Sequence, residues 1–317
     1  MQVNDLIFKE LIKRGYTLDG NTRVWNIADS KLWYLTPEQA QGFLDLDHDS
    51  AYKKETGQPA AKELLRENIK RLAENISTDS INIIDLGCGD GEKAAEIIIE
   101  LKRIMPKLHI RYCPIDISGY MVQSAIKTFS ELNVGEVVEF KYNISDFENL
   151  ENVTPLLRTG KFKKNLILLL GNTLGNFEVN ELLYVIRTSM EKGDLFFLDT
   201  AVDDHKQKER ALSYQNNKKS NAWLINVPLQ LGLSKEDVEF GVRFRNSRIE
   251  CYYTITRDKK ISFQDKNLYF MKGDQMIVLV AYKHDKTNLK EYLNMHFDNV
   301  SVTISKDNGK ALALCMK

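Results

Sequence analysis

The sequence has little of what marks metalloproteins and secreted proteins. It contains four cysteines and five histidines in 317 residues, and neither type occurs at metal-ligand spacing or as a C-x-x-C pair. The cysteines are scattered, at Cys88, Cys113, Cys251 and Cys315. Free thiols are typical of a reducing compartment, so we expect a cytoplasmic protein. Because the spacing of the cysteines and histidines suits no metal site, we also expect that it binds no metal.

Long apolar runs and an excess of charge of one sign are also missing. No stretch approaches about 18 consecutive apolar residues, so we expect no membrane span. The charged residues near the N-terminus argue against a signal peptide. Basic and acidic residues are equal at 44 each, and this balance favours no nucleic-acid partner.

Residues 81–95 organise the rest of the chain. An apolar, β-branched run ends at Asp85, and an apolar pattern of helical period begins at Ala94. Between them lie Gly87, Gly89 and Gly91. This order predicts a strand, a glycine-rich turn and a helix. The dinucleotide fingerprint fails, because Glu92 stands where its third glycine belongs. The pattern acid-x-Gly-x-Gly-x-Gly instead resembles the first motif of Rossmann-like methyltransferases that use S-adenosylmethionine (SAM).

Polar residues follow the next two predicted strands, at the edge where open parallel sheets bind ligands. Asp116 ends the second strand, residues 108–117, where an acid can hydrogen-bond a ribose diol, and helix capping is the alternative. After the third strand, residues 137–142, Asp146 can accept from an adenine amino group and Phe147 can pack on the ring. Together these residues predict a SAM site.

A second turn rich in glycine and asparagine, residues 171–177, follows a continuous apolar strand over residues 165–170. By its order in the chain, this turn lies at the carboxyl end of the fourth strand, where side chains face the ligand crevice. Asn176 is therefore predicted to contact substrate or cofactor. A structural turn with asparagine in the left-handed region is the alternative.

The α/β alternation stops after the fifth predicted strand. Residues 203–274 contain polar helices and antiparallel strands, and residues 276–281 are predicted to return to the sheet as a buried strand. We therefore expect an α/β protein with a Rossmann-like sheet and a second, α+β domain. The predicted domains are a SAM-binding domain of residues 58–202 and 275–317, and a substrate-binding domain of residues 1–57 and 203–274.

Taken together, these residues resemble the histidine-specific SAM-dependent methyltransferase family, whose best-known members trimethylate histidine in ergothioneine biosynthesis. The resemblance begins near Leu32 and is carried by motifs at residues 85–93, 114–118, 146–147 and 170–176. It implies a class I methyltransferase sheet, with a substrate domain built from the N-terminal helices and an excursion before the sixth strand. It also implies SAM as cofactor, S-adenosylhomocysteine as product and a small-molecule amine as acceptor.

The resemblance and the motifs also assign roles to individual residues. Lys93 is expected near the SAM carboxylate, and the catalytic residues implied are Asn176 and Tyr52. The cofactor-binding residues are Asp85, Gly87, Gly89, Lys93, Asp116, Asp146, Phe147 and Gly171. The substrate-binding residues are Tyr34, Tyr52, Thr173, Asn176, Tyr214, Leu279 and Ala281.

One departure from the family pattern bears on the substrate. Members that recognise imidazole carry a Glu and a Ser two residues apart just before a Lys, and the matching positions here are Leu279 and Ala281 before Lys283. A site built to hydrogen-bond an imidazole loses specificity without those groups. We therefore expect an acceptor with an apolar side group rather than free histidine. The alternatives are a non-catalytic SAM-binding or partner-binding protein and a methyltransferase of protein N-termini.

Overall fold

The computed structural model describes residues 3–317, except for the side chains of Tyr142 and Glu148. Contacts within the chain divide it into two compact units, and each unit is built from two separate stretches. Unit 1 comprises the described part of Met1–Asp49 together with His205–Lys283. Unit 2 comprises Ser50–Asp204 and His284–Lys317.

Helices and strands occur in both units. The helices are α1 (Asp5–Arg14), α2 (Pro37–Asp47), α3 (Ser50–Glu55), α4 (Gln58–Asn75), α5 (Glu92–Ile104), α6 (Gly119–Leu132), α7 (Leu150–Leu157), α8 (Val179–Ser189), α9 (Gln207–Asn216), α10 (Lys218–Leu224), α11 (Asn226–Gln230) and α12 (Lys286–His296). The strands are β1 (Thr17–Asp19), β2 (Thr22–Asn26), β3 (Ser80–Leu86), β4 (His109–Ile115), β5 (Glu136–Val137), β6 (Lys164–Leu169), β7 (Leu195–Ala201), β8 (Val238–Arg245), β9 (Arg248–Ile255), β10 (Lys259–Phe263), β11 (Lys266–Phe270), β12 (Gln275–Tyr282), β13 (Asn299–Ile304) and β14 (Lys310–Met316). Within the described chain, no helix combines the length and the apolar character that crossing a membrane requires.

Unit 2 contains a seven-stranded sheet with the order β13-β14-β7-β6-β3-β4-β5. The strands from β7 to β5 are parallel, and β14 runs antiparallel between β7 and β13. Apolar residues cover both faces of this sheet, as a buried parallel sheet requires. The predicted Rossmann-like class I sheet is confirmed.

Helices pack on both faces of the unit 2 sheet and form two apolar cores. One core receives residues from α4, α5 and α6, among them Leu72 and Ile98. The other receives residues from α7, α8 and α12, among them Ile186 and Leu293. Because helices cover both faces, a ligand reaches the sheet at the carboxyl ends of its strands.

Unit 1 contains a five-stranded sheet with the order β1-β2-β12-β9-β8 and the separate hairpin β10-β11. β12 pairs antiparallel with β9 and parallel with β2. Its register shifts between Ile277 and Leu279, which leaves Val278 as an extra residue in the ladder. The carbonyl of Val278 accepts a 2.7 Å hydrogen bond from the Trp33 indole, so the irregularity ties the strand to the N-terminal segment of the same unit.

The prediction that residues 276–281 rejoin the Rossmann-like sheet is wrong. That segment is β12 of unit 1, and the sixth strand of the large sheet is β13, which the sequence analysis missed. An apolar run predicts a buried strand but does not say which sheet will pair with it. The edge strand β13 is only half-buried, so its sequence shows a weaker apolar pattern than a central strand. The boundaries between the units accordingly lie after Asp49, Asp204 and Lys283 rather than after residues 57, 202 and 274.

The predicted third strand is also much shorter than expected. It spans only Glu136–Val137, because the Asn143 side chain takes over the hydrogen bonds beyond it. Its amide nitrogen donates to the carbonyls of Pro114 at 2.7 Å and Val138 at 3.1 Å. Its oxygen accepts from the Phe140 N–H at 2.6 Å. These bonds hold the segment before Asp146 against the end of β4.

Candidate active site

Three glycines in the turn after β3 have positive φ angles and three different surroundings. Their φ angles are +68° at Gly87, +54° at Gly89 and +79° at Gly91, a region that side chains rarely adopt. A Cβ at Gly91 would lie 3.1 Å from the backbone of Ala125, so this glycine lets α5 and α6 approach each other. A Cβ at Gly89 would meet no described atom within 4 Å, which leaves this part of the turn open.

Gly87 faces the two other segments that the sequence analysis assigned to the site. A Cβ at Gly87 would lie 3.4 Å from the methyl group of Thr173 and 3.7 Å from the ring of Phe147. Phe147 also packs against Phe177, with 5.2 Å between the ring centroids. The structure therefore brings together the turn after β3, the segment after β5 and the turn after β6.

Asp116 lies beside the same glycine-rich turn. One carboxylate oxygen accepts from the Ser118 N–H at 2.9 Å, and the other accepts from the Gly89 N–H at 3.4 Å. Burial raises the pKa of Asp116 to about 6, although these N–H groups favour the charged form. Asp116 therefore links the ends of β3 and β4. Asp146, farther along the chain, is half-buried.

Asp85 is almost fully buried at the end of β3, and one carboxylate oxygen accepts from the Tyr112 hydroxyl at 2.8 Å. Burial raises the pKa of Asp85 to about 7; the Tyr112 hydrogen bond opposes this shift and the charge of Asp116 adds to it. Tyr112 stacks on Phe129 of α6, with 3.6 Å between ring centroids. The sequence analysis missed Tyr112, because nothing local in the sequence marks a partner on a neighbouring strand.

Lys93 and Gly171 form the next side of the site. A Cβ at Gly171, where φ is +73°, would lie 3.2 Å from the Lys93 ammonium nitrogen. The positive charge of Lys93 also acts to lower the pKa of Asp85. The first turn of α5 thus presents a cation beside the turn that follows β6.

The turn after β6 is locked by groups that belong to β7. The Gly171 N–H donates to the buried carboxylate of Asp199 at 2.8 Å. Asn172 adopts the left-handed conformation, and its oxygen accepts from the Ala201 N–H at 2.7 Å and from the Thr200 hydroxyl at 3.2 Å. Asn172 therefore has the structural role that was the alternative for this turn. Asp199 is a second residue that the sequence analysis missed.

The Asn176 side chain, unlike that of Asn172, does not take part in holding the turn. It is half-buried in the same turn, yet within the described chain it has no hydrogen-bond partner. Thr173, between the two asparagines, donates its hydroxyl to the Leu170 carbonyl at 2.7 Å. The turn is therefore held by Asn172 and Thr173, and the Asn176 amide remains available to a ligand.

Tyr52 lies in unit 2 on the short helix α3, with a half-buried side chain. The remaining predicted substrate residues lie in unit 1. Tyr34 packs edge-on against Phe43, with 5.4 Å between ring centroids, and also contacts Trp223. Tyr214 is half-buried on α9. Leu279 and Ala281 are half-buried on β12, opposite Cys251 and Ile249 of β9.

The sequence matches one family model, which describes histidine-specific, SAM-dependent methyltransferases, over residues 60–316. The match covers most of the chain. The chain belongs to this family. It is therefore a SAM-dependent methyltransferase, with SAM as its cofactor. No curated protein matches the sequence.

Solved structures with a similar fold share little sequence with this family member. A SAM-dependent methyltransferase from Clostridium acetobutylicum ATCC 824 gives a TM-score of 0.42 at 13% identity, over 78% of this chain and 88% of that chain. Magnesium protoporphyrin IX methyltransferase from Synechocystis PCC 6803, with bound SAH, gives a TM-score of 0.42 at 12% identity, over 88% of this chain and 99% of that chain. The family assignment therefore rests on the family match.

The residues of unit 2 fit a SAM molecule. The missing side chain at Gly87 leaves room beside the methyl group of Thr173 and the ring of Phe147. Asp116 supplies a buried hydrogen-bond acceptor, and Lys93 supplies a cation. SAM carries groups that suit these partners, namely a flat adenine ring, a ribose diol and an amino-acid carboxylate.

Proposed function

We propose that this enzyme methylates the nitrogen of a small amine or amino-acid-like acceptor whose side group is apolar. The observation that carries the proposal is the Asn176 amide, which is half-buried and without a hydrogen-bond partner in the described chain. It lies at the carboxyl end of β6, where ligands bind in sheets of this kind. The other polar groups of the turn are used to hold the turn itself.

The same proposal assigns the cofactor contacts. The Asp116 carboxylate accepts from the ribose hydroxyls, and its buried hydrogen bonds to backbone N–H groups fix it for that purpose. Phe147 packs on the adenine ring, and Asp146 accepts from the adenine amino group. Lys93, beside Gly171, binds the amino-acid carboxylate. Asp85, held by its hydrogen bond with Tyr112, supports the glycine-rich turn that contacts the cofactor.

The protein's contribution to the reaction is alignment and exclusion of water. SAM, when bound, supplies an electrophilic methyl group and leaves as S-adenosylhomocysteine. The ammonium form of the acceptor first loses a proton to solvent, and the Asn176 carbonyl oxygen then accepts an N–H of the neutral amine and directs the nitrogen lone pair. An amide oxygen does not take up a proton near neutral pH, so Asn176 positions the amine and does not act as a base. Tyr52 is proposed to cover the acceptor.

The proposed nature of the acceptor rests on Leu279 and Ala281, which the family resemblance assigns to substrate binding. These residues point to the same face of β12, and their cross-strand partners Cys251 and Ile249 are buried and apolar. An imidazole bound against such a wall would lose the hydrogen bonds of its ring nitrogens, which costs a site most of its specificity. Tyr34 and Tyr214 of unit 1 are proposed to contact the acceptor as well.

Calorimetry tests the proposal in two steps. The protein is first titrated with SAM and S-adenosylhomocysteine, and we expect dissociation constants on the order of micromolar. Histidine, leucine and phenylethylamine are then titrated in the presence of S-adenosylhomocysteine. We expect leucine and phenylethylamine, whose side groups are apolar, to bind, and we expect no detectable binding of histidine.

Variants identify the contribution of Asn176. Asn176→Ala should weaken amine binding about tenfold, which corresponds to the loss of one hydrogen bond, and leave cofactor binding unchanged. Asn288→Ala, on the exposed surface of α12, is the matched control and should change neither. Tight binding of histidine would overturn the apolar-acceptor proposal. Methylation of a peptide N-terminus without methylation of free amines would favour the protein substrate instead.

A further inference from the structure

Unit 1 contains a cavity of about 270 Å³ between α10 and the strands β8 and β9. One wall is the face of α10 that carries Lys218 and Asn221, and Ile225, directly after the helix, continues this wall. The opposite wall is formed by Phe240 and Tyr253. These two residues are cross-strand neighbours, and their ring centroids are 5.4 Å apart. The two rings therefore give the cavity an aromatic wall, and Lys218, Lys235 and Asn221 make the rest of its lining partly polar.

An amide group with unused donors lies in the wall of this cavity. The Tyr253 hydroxyl donates to the side-chain oxygen of Asn221 at 2.8 Å, which orients the amide. Burial raises the pKa of Tyr253, so its hydroxyl stays protonated and remains a donor. Within the described chain no group accepts a hydrogen bond from the Asn221 amide nitrogen. Its N–H groups are therefore available to a ligand that carries an acceptor.

Two lysines, Lys218 and Lys235, line the same cavity. Both are exposed, and neither has an ion-pair partner among the residues that the structure describes. The nearby carboxylate of Asp237 is already paired with Arg257 and Lys259. The lysine charges at the cavity are therefore not cancelled there.

Among the residues that the structure describes, no acidic side chain contributes to the cavity lining. Glu239 lies in β8 between Val238 and Phe240, which both line the cavity. Because side chains alternate across a strand, Glu239 points to the other face of the sheet. The cavity thus combines an aromatic wall, an unused amide donor and two cations.

We propose that this cavity binds a small organic carboxylate with an aromatic or branched apolar body. Lys218 and Lys235 attract the carboxylate, the Asn221 amide donates to it, and the Phe240 and Tyr253 rings pack against the apolar part. This site lies within unit 1, and its proposed occupancy does not depend on the methyl-transfer proposal.

Phenylacetate is a suitable probe, and neutral phenylacetamide has almost the same shape. Both are titrated calorimetrically into the full-length protein, with and without S-adenosylhomocysteine. We expect phenylacetate to bind at least about tenfold more tightly than phenylacetamide, because charge-assisted hydrogen bonds are lost in the amide. Lys218→Met/Lys235→Met should weaken phenylacetate binding about tenfold. The matched control Lys208→Met/Lys266→Met alters two exposed lysines of unit 1 outside the cavity, and should leave binding within about twofold.

A second readout uses the unaltered protein. Phenylacetate should slow acetylation of Lys218 and Lys235, measured by mass spectrometry, and leave acetylation of Lys208 and Lys266 unchanged. Equal binding of phenylacetate and phenylacetamide would overturn the proposal. So would the absence of saturable phenylacetate binding, or an equal effect of phenylacetate on the acetylation rates of all four lysines.

Discussion

At the scale of single residues, two buried aspartates at the carboxyl ends of adjacent strands are held in different ways. Asp116 is surrounded by backbone N–H groups, which favour its charged form. Asp85 has the Tyr112 hydroxyl as a side-chain partner and lies deeper in the core. The pKa values of about 6 and about 7 reflect this difference. Asp116 is therefore suited to a direct contact with a ligand, and Asp85 to supporting the turn.

The raised pKa of Asp85 has a consequence for stability. The unfolded carboxyl titrates near pH 4 and the folded one near pH 7, so the folded state holds more protons between these values. Stability from this group is therefore lost as the pH rises from about 4 to 7. Asp85→Asn resembles the protonated carboxyl and cannot ionise. Relative to wild type, this variant should gain about 1–3 kcal/mol in unfolding free energy between pH 5 and pH 8, measured by urea unfolding.

Asp79→Asn is the matched control for that measurement. Asp79 is exposed and lies immediately before β3, the strand that contains Asp85. The unfolding free energy of this variant should follow the wild-type value at both pH values. If Asp85→Asn also follows the wild type, the buried carboxyl does not titrate in this range and the proposed environment of Asp85 is incorrect.

At the scale of elements, the Asn172 side chain makes two of the hydrogen bonds that hold the turn after β6 to the end of β7. The Asn172 oxygen accepts from Ala201 and Thr200, and both of these residues are buried. The φ angle of Asn172 is +68°, which asparagine tolerates better than most residues. Together with the hydrogen bond between Gly171 and Asp199, this side chain therefore fixes the path of the segment that presents Asn176.

Asn172→Ala should destabilise the protein by about 2–4 kcal/mol. The variant leaves the buried Ala201 N–H unpaired and places an alanine in the left-handed region. Asn133→Ala is the control, because Asn133 also has a positive φ of 50° but is exposed at the end of α6. It should cost only about 1 kcal/mol. Urea unfolding of the two variants separates the cost of the lost hydrogen bonds from the cost of alanine in the left-handed region. Equal losses of unfolding free energy would show that the Asn172 hydrogen bonds contribute little.

At the scale of the whole molecule, the sequence predicts local arrangements well and pairing between distant segments poorly. The order of strand, glycine turn and helix at residues 80–104 is confirmed, because each part is specified by neighbouring residues. The sheet to which β12 belongs depends on contacts with β9 and β2. No local pattern contains that information, and the unit boundary was misplaced as a result.

The candidate site shows the same division between local and distant information. Gly87, Phe147 and Thr173 were predicted from separate motifs to share a site, and the structure brings all three together. Tyr112 and Asp199 were missed because each supports the site from a neighbouring strand through one hydrogen bond. A buried tyrosine or aspartate in a strand has no sequence signature of that role.

Cofactor binding should stabilise the molecule unevenly. Saturation with S-adenosylhomocysteine at about 100 times its dissociation constant stabilises the native state by about 2.7 kcal/mol. The protection should concentrate in unit 2, at the turns over residues 87–91 and 171–176, where opening is local. Hydrogen exchange followed by mass spectrometry measures it. The control segment is the β10-β11 hairpin of unit 1, whose exchange should be unchanged in the short time points that report local opening. If the hairpin gained as much protection as the turns, the cofactor would not be bound by the residues proposed for it.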